Sequence, residues 1–311
     1  MRALCAWLCL CLLWLPAGCS SPPPVTLALL GDIQLGRGVA QAHADGSWAE
    51  ALSYLQPTLA GADLALANLE SPLSGQPLSY QDEGYNLCAP PESVSALTAA
   101  GIDLLALANN HRDDCRPDGA ASTLNILETA GLGGILEDAS PVLRSIHGVQ
   151  LALLAFDDIS TPLEENAAMQ AVRQADQSAD VVVVSLHWGT EYQAAPTPHQ
   201  KVLAQALADA GADLLWGHHP HVLQPLEYLE RGDGRPPALA AYSLGNSLFD
   251  QPGSIDTNRS AVLLVRMDRQ GVRSFEILPF EIDPHRGVVK EASLNASQRV
   301  KQILNFYLAQ K

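Results

Sequence analysis

Two imidazoles flank a single proline at His219-Pro220-His221. In an extended segment alternate side chains fall on one side, so this pair can grip one ion. Imidazole suits Zn, Mn, Fe and related metals. Asp32 and Glu70 add hard oxygen donors, Asn110 an amide oxygen, and His187 a further nitrogen. A mixed nitrogen and oxygen set of this kind suits a hydrolytic centre, where metals acidify water and clamp an oxyanion. Taken singly, each of these residues is equally a polar cap for loop backbone; the case rests on the set. His111, next to Asn110, can protonate a leaving oxygen as general acid, with Asp114 one loop turn away to orient its ring. Arg37, after Gly36, offers a planar fork for an anionic substrate. His218 adjoins the pair but should point the opposite way, as a structural residue. His43, His147, His199 and His285 read as surface residues, and Asp113 and Asp118 as solvated charge.

The elements that must position these groups are legible as short apolar runs that each end in polar residues. Val25–Leu30 runs into Gly31-Asp32, and Asp63–Ala67 into Asn68-Leu69-Glu70. Ile102–Leu107 reaches Asn109-Asn110-His111, and Val181–Val184 reaches Ser185-Leu186-His187. Asp213–Trp216 reaches Gly217-His218-His219, and Leu239–Tyr242 reaches Ser243-Leu244-Gly245-Asn246. Buried parallel strands read as continuous apolar runs, and open α/β sheets place their sites beyond the carboxyl ends of such strands. Helical spacing predicts helices over Ala49–Leu59, Pro91–Ala100, Asp118–Ala130, Glu164–Gln174 and His199–Ala210, with Gly101, Gly131 and Gly211 as stops. After Gly217 the pattern becomes strands alone: Val222–Leu229, Ala238–Leu244, Ala261–Met267 and Val272–Leu278, before a closing helix over Ser297–Leu308. Parallel βαβ units followed by a β-rich half imply two sheets packed face to face, with helices outside.

Met1–Gly18 carries Arg2 and the apolar run Leu4–Leu15, the pattern of an export signal. Small residues before Cys19, then Ser20-Ser21-Pro22-Pro23-Pro24, resemble a bacterial lipoprotein signal. The expected organisation is a signal peptide over 1–18, a tether over 19–24 lipidated at Cys19, and one domain over 25–311. That places the domain outside the cell membrane, held to its outer face. Within the 25–311 domain the cysteines are Cys88 and Cys115 alone, and an even pair in an exported protein suggests a disulfide. The formal net charge of −16 argues against a nucleic-acid backbone as partner.

Gly31-Asp32-Ile33-Gln34-Leu35-Gly36-Arg37, Asn68-Leu69-Glu70, Ala108-Asn109-Asn110-His111 with Asp114, Ser185–Tyr192, Gly217–Val222 and Tyr242–Asn246 together resemble the CapA family. That family is linked to poly-gamma-glutamate capsule synthesis and related to the calcineurin-like metallophosphoesterases. The resemblance implies an α/β fold, a four-layer α/β/β/α sandwich with a metal site at one sheet edge. It implies one or two divalent ions (Mn, Fe, Zn or Mg) on Asp32, Glu70, Asn110, His187, His219 and His221, with His111 and Asp114 catalytic. Arg37, Glu191, Tyr192 and Asn246 are expected to shape the substrate pocket. Gln34 stands where the phosphoesterases carry a histidine, and Glu70 where they carry a bridging aspartate. The expected activity is metal-dependent hydrolysis of a phosphoester, a poly-gamma-glutamyl amide or a cell-wall amide. The alternatives are a generic metallophosphodiesterase, and a non-catalytic factor that holds or exports an anionic polymer beside capsule-synthesis partner proteins.

Overall fold

The computed structural model describes residues 23–75, 85–115, 119–138 and 140–308. The expected leader, Cys19, the tether as far as Pro22, and Asp118 lie outside these residues. The strands are β1 (Val25–Ile33), β2 (Leu64–Leu69), β3 (Leu104–Ala106), β4 (Gly133–Ile135), β5 (Val142–Ile146), β6 (Val149–Asp157) and β7 (Val181–His187). They continue as β8 (Leu214–His218), β9 (Leu223–Leu229), β10 (Ala238–Leu244), β11 (Asn246–Leu248), β12 (Arg259–Asp268), β13 (Gly271–Asp283) and β14 (Val288–Glu291). The helices are α1 (Arg37–Ala42), α2 (Gln56–Leu59), α3 (Val94–Ala100), α4 (Gly119–Thr129), α5 (Glu165–Asp176), α6 (Pro198–Ala210) and α7 (Leu294–Leu304).

Two sheets carry the fold. One runs β14-β13-β12-β1-β2-β3-β4, with β11 also paired to β1; the other runs β5-β6-β7-β8-β10-β9. Their central strands are parallel, and antiparallel strands stand at every edge except that of β4, which pairs parallel with β3. The six apolar runs form β1, β2, β3, β7, β8 and β10, each buried throughout or nearly so. One apolar cluster draws on both sheets and on Val300 and Leu304 of α7. A second covers the other face of the first sheet with α1, α3 and α4, and a third covers the second sheet with α5 and α6. Trp216 Nε1 donates to Leu30 O at 2.7 Å, tying β8 to β1 between the sheets.

Local rules explain the helix ends. Thr197 and Gln200 cap α6 reciprocally, Pro198 starts it, and Gly211 follows it at φ 126°. Gly101, at φ 82°, terminates α3. The expected single helix over Ala49–Leu59 is instead two tight turns, Trp48–Glu50 and Ser53–Leu55, and the short α2. Pro57 accounts for the break: inside one continuous helix its ring would clash with the carbonyl of Ser53. Among the described residues no helix is long and apolar enough to cross a membrane.

Register positions the polar strand ends. Asp32 pairs across the sheet with Asn68 on one side and Asn246 on the other. In the second sheet Asp157, His187 and His218 form a matching row. These backbones come very close. A Cβ on Gly31 would stand 1.8 Å from Gly245 O, and one on Gly217 would stand 2.0 Å from Tyr242 O. Glycine is required at both positions for want of room, and each immediately precedes a residue of the polar row.

Candidate metal centre

Glu70 is the hub. Its side chain is fully buried, and neither carboxylate oxygen has a hydrogen-bond partner. Three imidazole nitrogens face Oε1: His187 Nε2 at 3.7 Å, His221 Nε2 at 3.7 Å and His111 Nε2 at 4.0 Å. Glu70, His219 and His221 each offer an atom, all within 4.8 Å of one another. The His187 and His219 rings lie 5.0 Å apart, and His219 Nδ1 also has no hydrogen-bond partner.

Asn110 Oδ1 meets His187 Nε2 at 2.8 Å, and that same nitrogen faces Glu70 Oε1. Asp32 binds around the rim. Its Oδ1 accepts from Asn68 Nδ2 at 2.8 Å and lies 3.3 Å from His218 Nδ1. Its Oδ2 accepts from the His219 backbone at 3.2 Å and lies 3.5 Å from His221 Nδ1. His218 therefore turns toward Asp32, correcting the expectation that it points away. The cause is backbone geometry: His219 and His221 sit at φ 90° and 57°, so the His-Pro-His segment is a pair of strained turns. Both rings still reach the centre, by a route other than strand alternation. His43 is a second correction: it is buried, with its ring bonded to Ser47 and to Gly287 O.

Burial disfavours the charged form of groups enclosed in the site. It raises Glu70 well above the ordinary carboxylate range. It lowers His187 well below the ordinary histidine value and His219 to about 4. At His221 burial is outweighed by the facing Glu70 and by Asp32, which hold its pKa at about 9. Burial would also raise Asp32, but His218 and His221 carry it well below its usual value.

This arrangement fits a divalent cation. A buried carboxylate with no donor is costly unless a charge compensates it. The 3.7 Å gaps exceed hydrogen-bond length, yet two ligand bonds of about 2.0–2.2 Å span roughly 3–3.6 Å between their ends. Glu70, His219 and His221 would hold one ion. Asn110 and His187, next to the same carboxylate, would hold a second.

His111 is the more open group, its side chain 16% exposed. Its Nδ1 lies 2.8 Å from Asp114 Oδ2, which also accepts from Leu87 N at 2.7 Å. The residues following Leu87 and Asp114 are Cys88 and Cys115, joined by a disulfide with Cα atoms 5.1 Å apart. The bridge pins together the two loops that hold the His111 ring, as the cysteine pairing predicts.

The expected pocket residues separate. Arg37 is paired with Asp250 and lies 5.7 Å from the Phe249 ring centroid. Tyr192 is largely exposed, its ring 6.0 Å from that of His221, and Glu191 is exposed beside it. Asn246 is fully buried. Its Oδ1 meets His221 Nδ1 at 2.9 Å and its Nδ2 donates to Gln251 and Thr257, so it orients a candidate ligand instead of facing substrate. Sequence reasoning gave no role to Asn68 or Asn109. Asn68 bridges Asp32 and His187, and Asn109 Nδ2 donates to Asn68 Oδ1 and Leu69 O. The signal available was their place inside the Asn-x-Glu and Asn-Asn-His motifs.

Comparison with known proteins gives a consistent picture. Residues 26–251 match the family described as Bacterial capsule synthesis protein PGA_cap. The chain is 31% identical over 301 residues to the PGA biosynthesis protein CapA of Bacillus subtilis (strain 168), covering 90% of this chain and 77% of that one. It is 32% identical over 284 residues to the capsule biosynthesis protein CapA of Bacillus anthracis, covering 83% and 67%. Among solved structures, a hypothetical protein from Thermus thermophilus superimposes with a TM-score of 0.56 at 16% identity, covering 83% of this chain and 99% of that one. That last likeness is one of fold alone.

Proposed function

This chain belongs to the PGA_cap family of bacterial capsule synthesis proteins, and from that premise we propose that it is a metal-dependent hydrolase acting in poly-gamma-glutamate capsule synthesis. The observation that carries the reading is Glu70, buried without a hydrogen bond among the imidazoles of His187, His221 and His111. The three apolar clusters, one between the sheets and one on each outer face, support the four-layer α/β/β/α arrangement of metallophosphoesterase type.

Glu70, His219 and His221 would hold one ion, and Asn110 with His187 a second. A divalent cation bound there would supply Lewis acidity and an acidified water. Asp32 keeps the His-Pro-His turn in place through the His219 amide and the His218 and His221 rings. Asp114 accepts from His111 Nδ1 and so leaves Nε2 pointed at the centre, where it delivers a proton to the leaving atom. Arg37, steadied by Asp250, lies close enough to add positive field for an anionic substrate. Residues 1–18 direct export, and a lipid on Cys19 with the 19–24 tether holds the 25–311 domain at the outer face of the membrane. Cys19→Ala should move the protein from membrane to soluble fractions; unchanged fractionation would reject that anchor.

A non-catalytic assembly or export factor, holding an anionic polymer at the same centre, is the second reading. Gln34 favours it: both side-chain amide atoms are buried without a partner, at the position where phosphoesterases carry an imidazole. The two readings separate in one experiment. Ion content is measured alongside hydrolysis of gamma-linked glutamate oligomers and of a generic phosphodiester with added Mn. Ion and turnover lost together in His219→Ala support the hydrolase. Polymer binding lost in that variant, with no turnover by the wild type, supports the assembly factor. A wild type that retains no ion contradicts both.

A further inference from the structure

A small cavity of about 90 Å³ opens beside Val222, next to the His221 turn, and its lining includes Tyr192, Leu223, Ser254, Asp256, Arg259 and Arg299. In a chain with formal charge −16 and only 18 Lys and Arg, two guanidinium groups on one small cavity are a local reversal of sign. Their internal partners are few. Arg259 is mostly buried; among the described residues its Nε has no hydrogen bond, and its Nη1 reaches Asp256 Oδ1 at 3.4 Å, on a carboxylate more than half exposed. Arg299 is exposed, and among the described residues it donates to Gln302 Oε1 at 3.3 Å. A guanidinium is a bidentate donor matched to planar carboxylates, and this volume admits a group about the size of three waters.

The cavity is tied to the metal centre by a chain of hydrogen bonds. His221 Nδ1 meets Asn246 Oδ1 at 2.9 Å, Asn246 Nδ2 donates to Gln251 Oε1 at 2.9 Å, and Gln251 Nε2 donates to the Tyr192 hydroxyl at 3.2 Å. Tyr192 thus touches both places: its ring lies 6.0 Å from that of His221, and it lines the cavity. Arg259 and Arg299 both lie beyond residues 26–251, the stretch that matches the family.

We infer that the Arg259–Arg299 cavity is a carboxylate subsite, which holds one acid group of a polycarboxylate chain while a neighbouring linkage lies at the metal centre. This rests on the reading that the centre handles an anionic polymer. A ligand with carboxylates repeated along its length engages both places at once, and the second contact is then intramolecular. Asp256 is the gate: an arriving carboxylate takes its place on Arg259.

The test is equilibrium binding of a fluorescein-labelled gamma-linked glutamate decamer to the full chain, read by fluorescence anisotropy. Arg299→Ala, at an exposed position, should weaken binding about tenfold, and Arg259→Gln with Arg299→Ala further, since each removes a charge-assisted contact. Ion content should stay at the wild-type level, and inorganic phosphate at matched ionic strength should not displace the decamer. Wild-type affinity in both variants, no binding by the wild type, or displacement by phosphate would each overturn the subsite. Repeating the series in His219→Ala separates the two claims. Arginine dependence that persists there, in a protein whose wild type has no turnover, leaves the subsite standing and removes the hydrolase. Turnover lost in His219→Ala while the arginine variants bind normally does the reverse.

Discussion

Gly31→Ala puts one methyl group where the fold has no room. The added Cβ would stand 1.8 Å from Gly245 O, 2.9 Å from Gly245 C and 3.0 Å from Leu244 O, while real Cβ atoms essentially never approach closer than 3.0 Å. All three atoms are backbone, so no side chain can swing aside. The β1 strand and the β10–β11 junction must part by about 1.2 Å, breaking the Asp32 N–H bond to Gly245 O at 2.9 Å and straining the Gly31 N–H bond to Ser247 Oγ at 2.8 Å. Overpacking of this kind costs about 1–3 kcal/mol, or roughly 2–5 °C in melting temperature for a domain of this size. The larger effect falls on the neighbour. Asp32 steadies the His219 amide and the rings of His218 and His221, and ligand distances tolerate only about 0.2 Å of error. A shift several times that size should cost most of the bound ion. The assay is thermal unfolding with and without chelator, alongside ion content by elemental analysis. Gly232→Ala is the control, since nothing lies within 4 Å of its added Cβ. A Gly31→Ala protein that melts with the wild type and keeps its full ion complement would refute the reasoning.

His111→Ala removes a proton donor but no proposed ligand, so turnover should fall by about 10²–10⁴ with ion content unchanged; measuring both in one preparation checks it. Cys88→Ser with Cys115→Ser opens a loop with sequence separation 27, and urea unfolding should register a loss of about 3 kcal/mol. The same variant loosens the Leu87–Asp114–His111 contacts, so turnover should fall further than ion content. Asp213→Ala strips Arg231 of its partner at 2.7 Å and leaves Val182 N without an acceptor. Arg231 is buried, with Nε and Nη1 already unbonded, so the loss should reach about 3–5 kcal/mol in the same unfolding assay, and a loss under about 1 kcal/mol would be too small for a buried pair.

The strands that build the centre were legible because they are buried on both faces, and such strands leave uninterrupted apolar runs. Val181–His187 is the clearest case. Most of what went unread is short or half exposed; β6 is the exception, nine residues buried but for Gln150 and still not picked out. β4 and β11 have three residues each, α1 has six, and the edge strand β5 alternates partly buried with exposed positions. None of these gives a periodic pattern above its surroundings. The polar strand ends marked Asp32, Glu70, Asn110, His187, His219 and His221 as residues that would gather in one place, as they do, but not how they are arranged there. The His-Pro-His pair reaches Glu70 through positive φ angles that no pattern of residue types encodes. The inward turn of His218, the amide bridge of Asn68 and the orienting role of Asn246 all depend on register between strands distant in sequence.

The most direct test of the central claim is where a divalent ion sits. Crystals of the protein soaked with Mn or Zn should give an anomalous peak about 2.0–2.2 Å from a Glu70 oxygen and from ring nitrogens of His219 and His221, with or without a second peak beside Asn110 and His187. A centre that stays empty at saturating Mn and Zn, or an ion bound only elsewhere, would contradict the account.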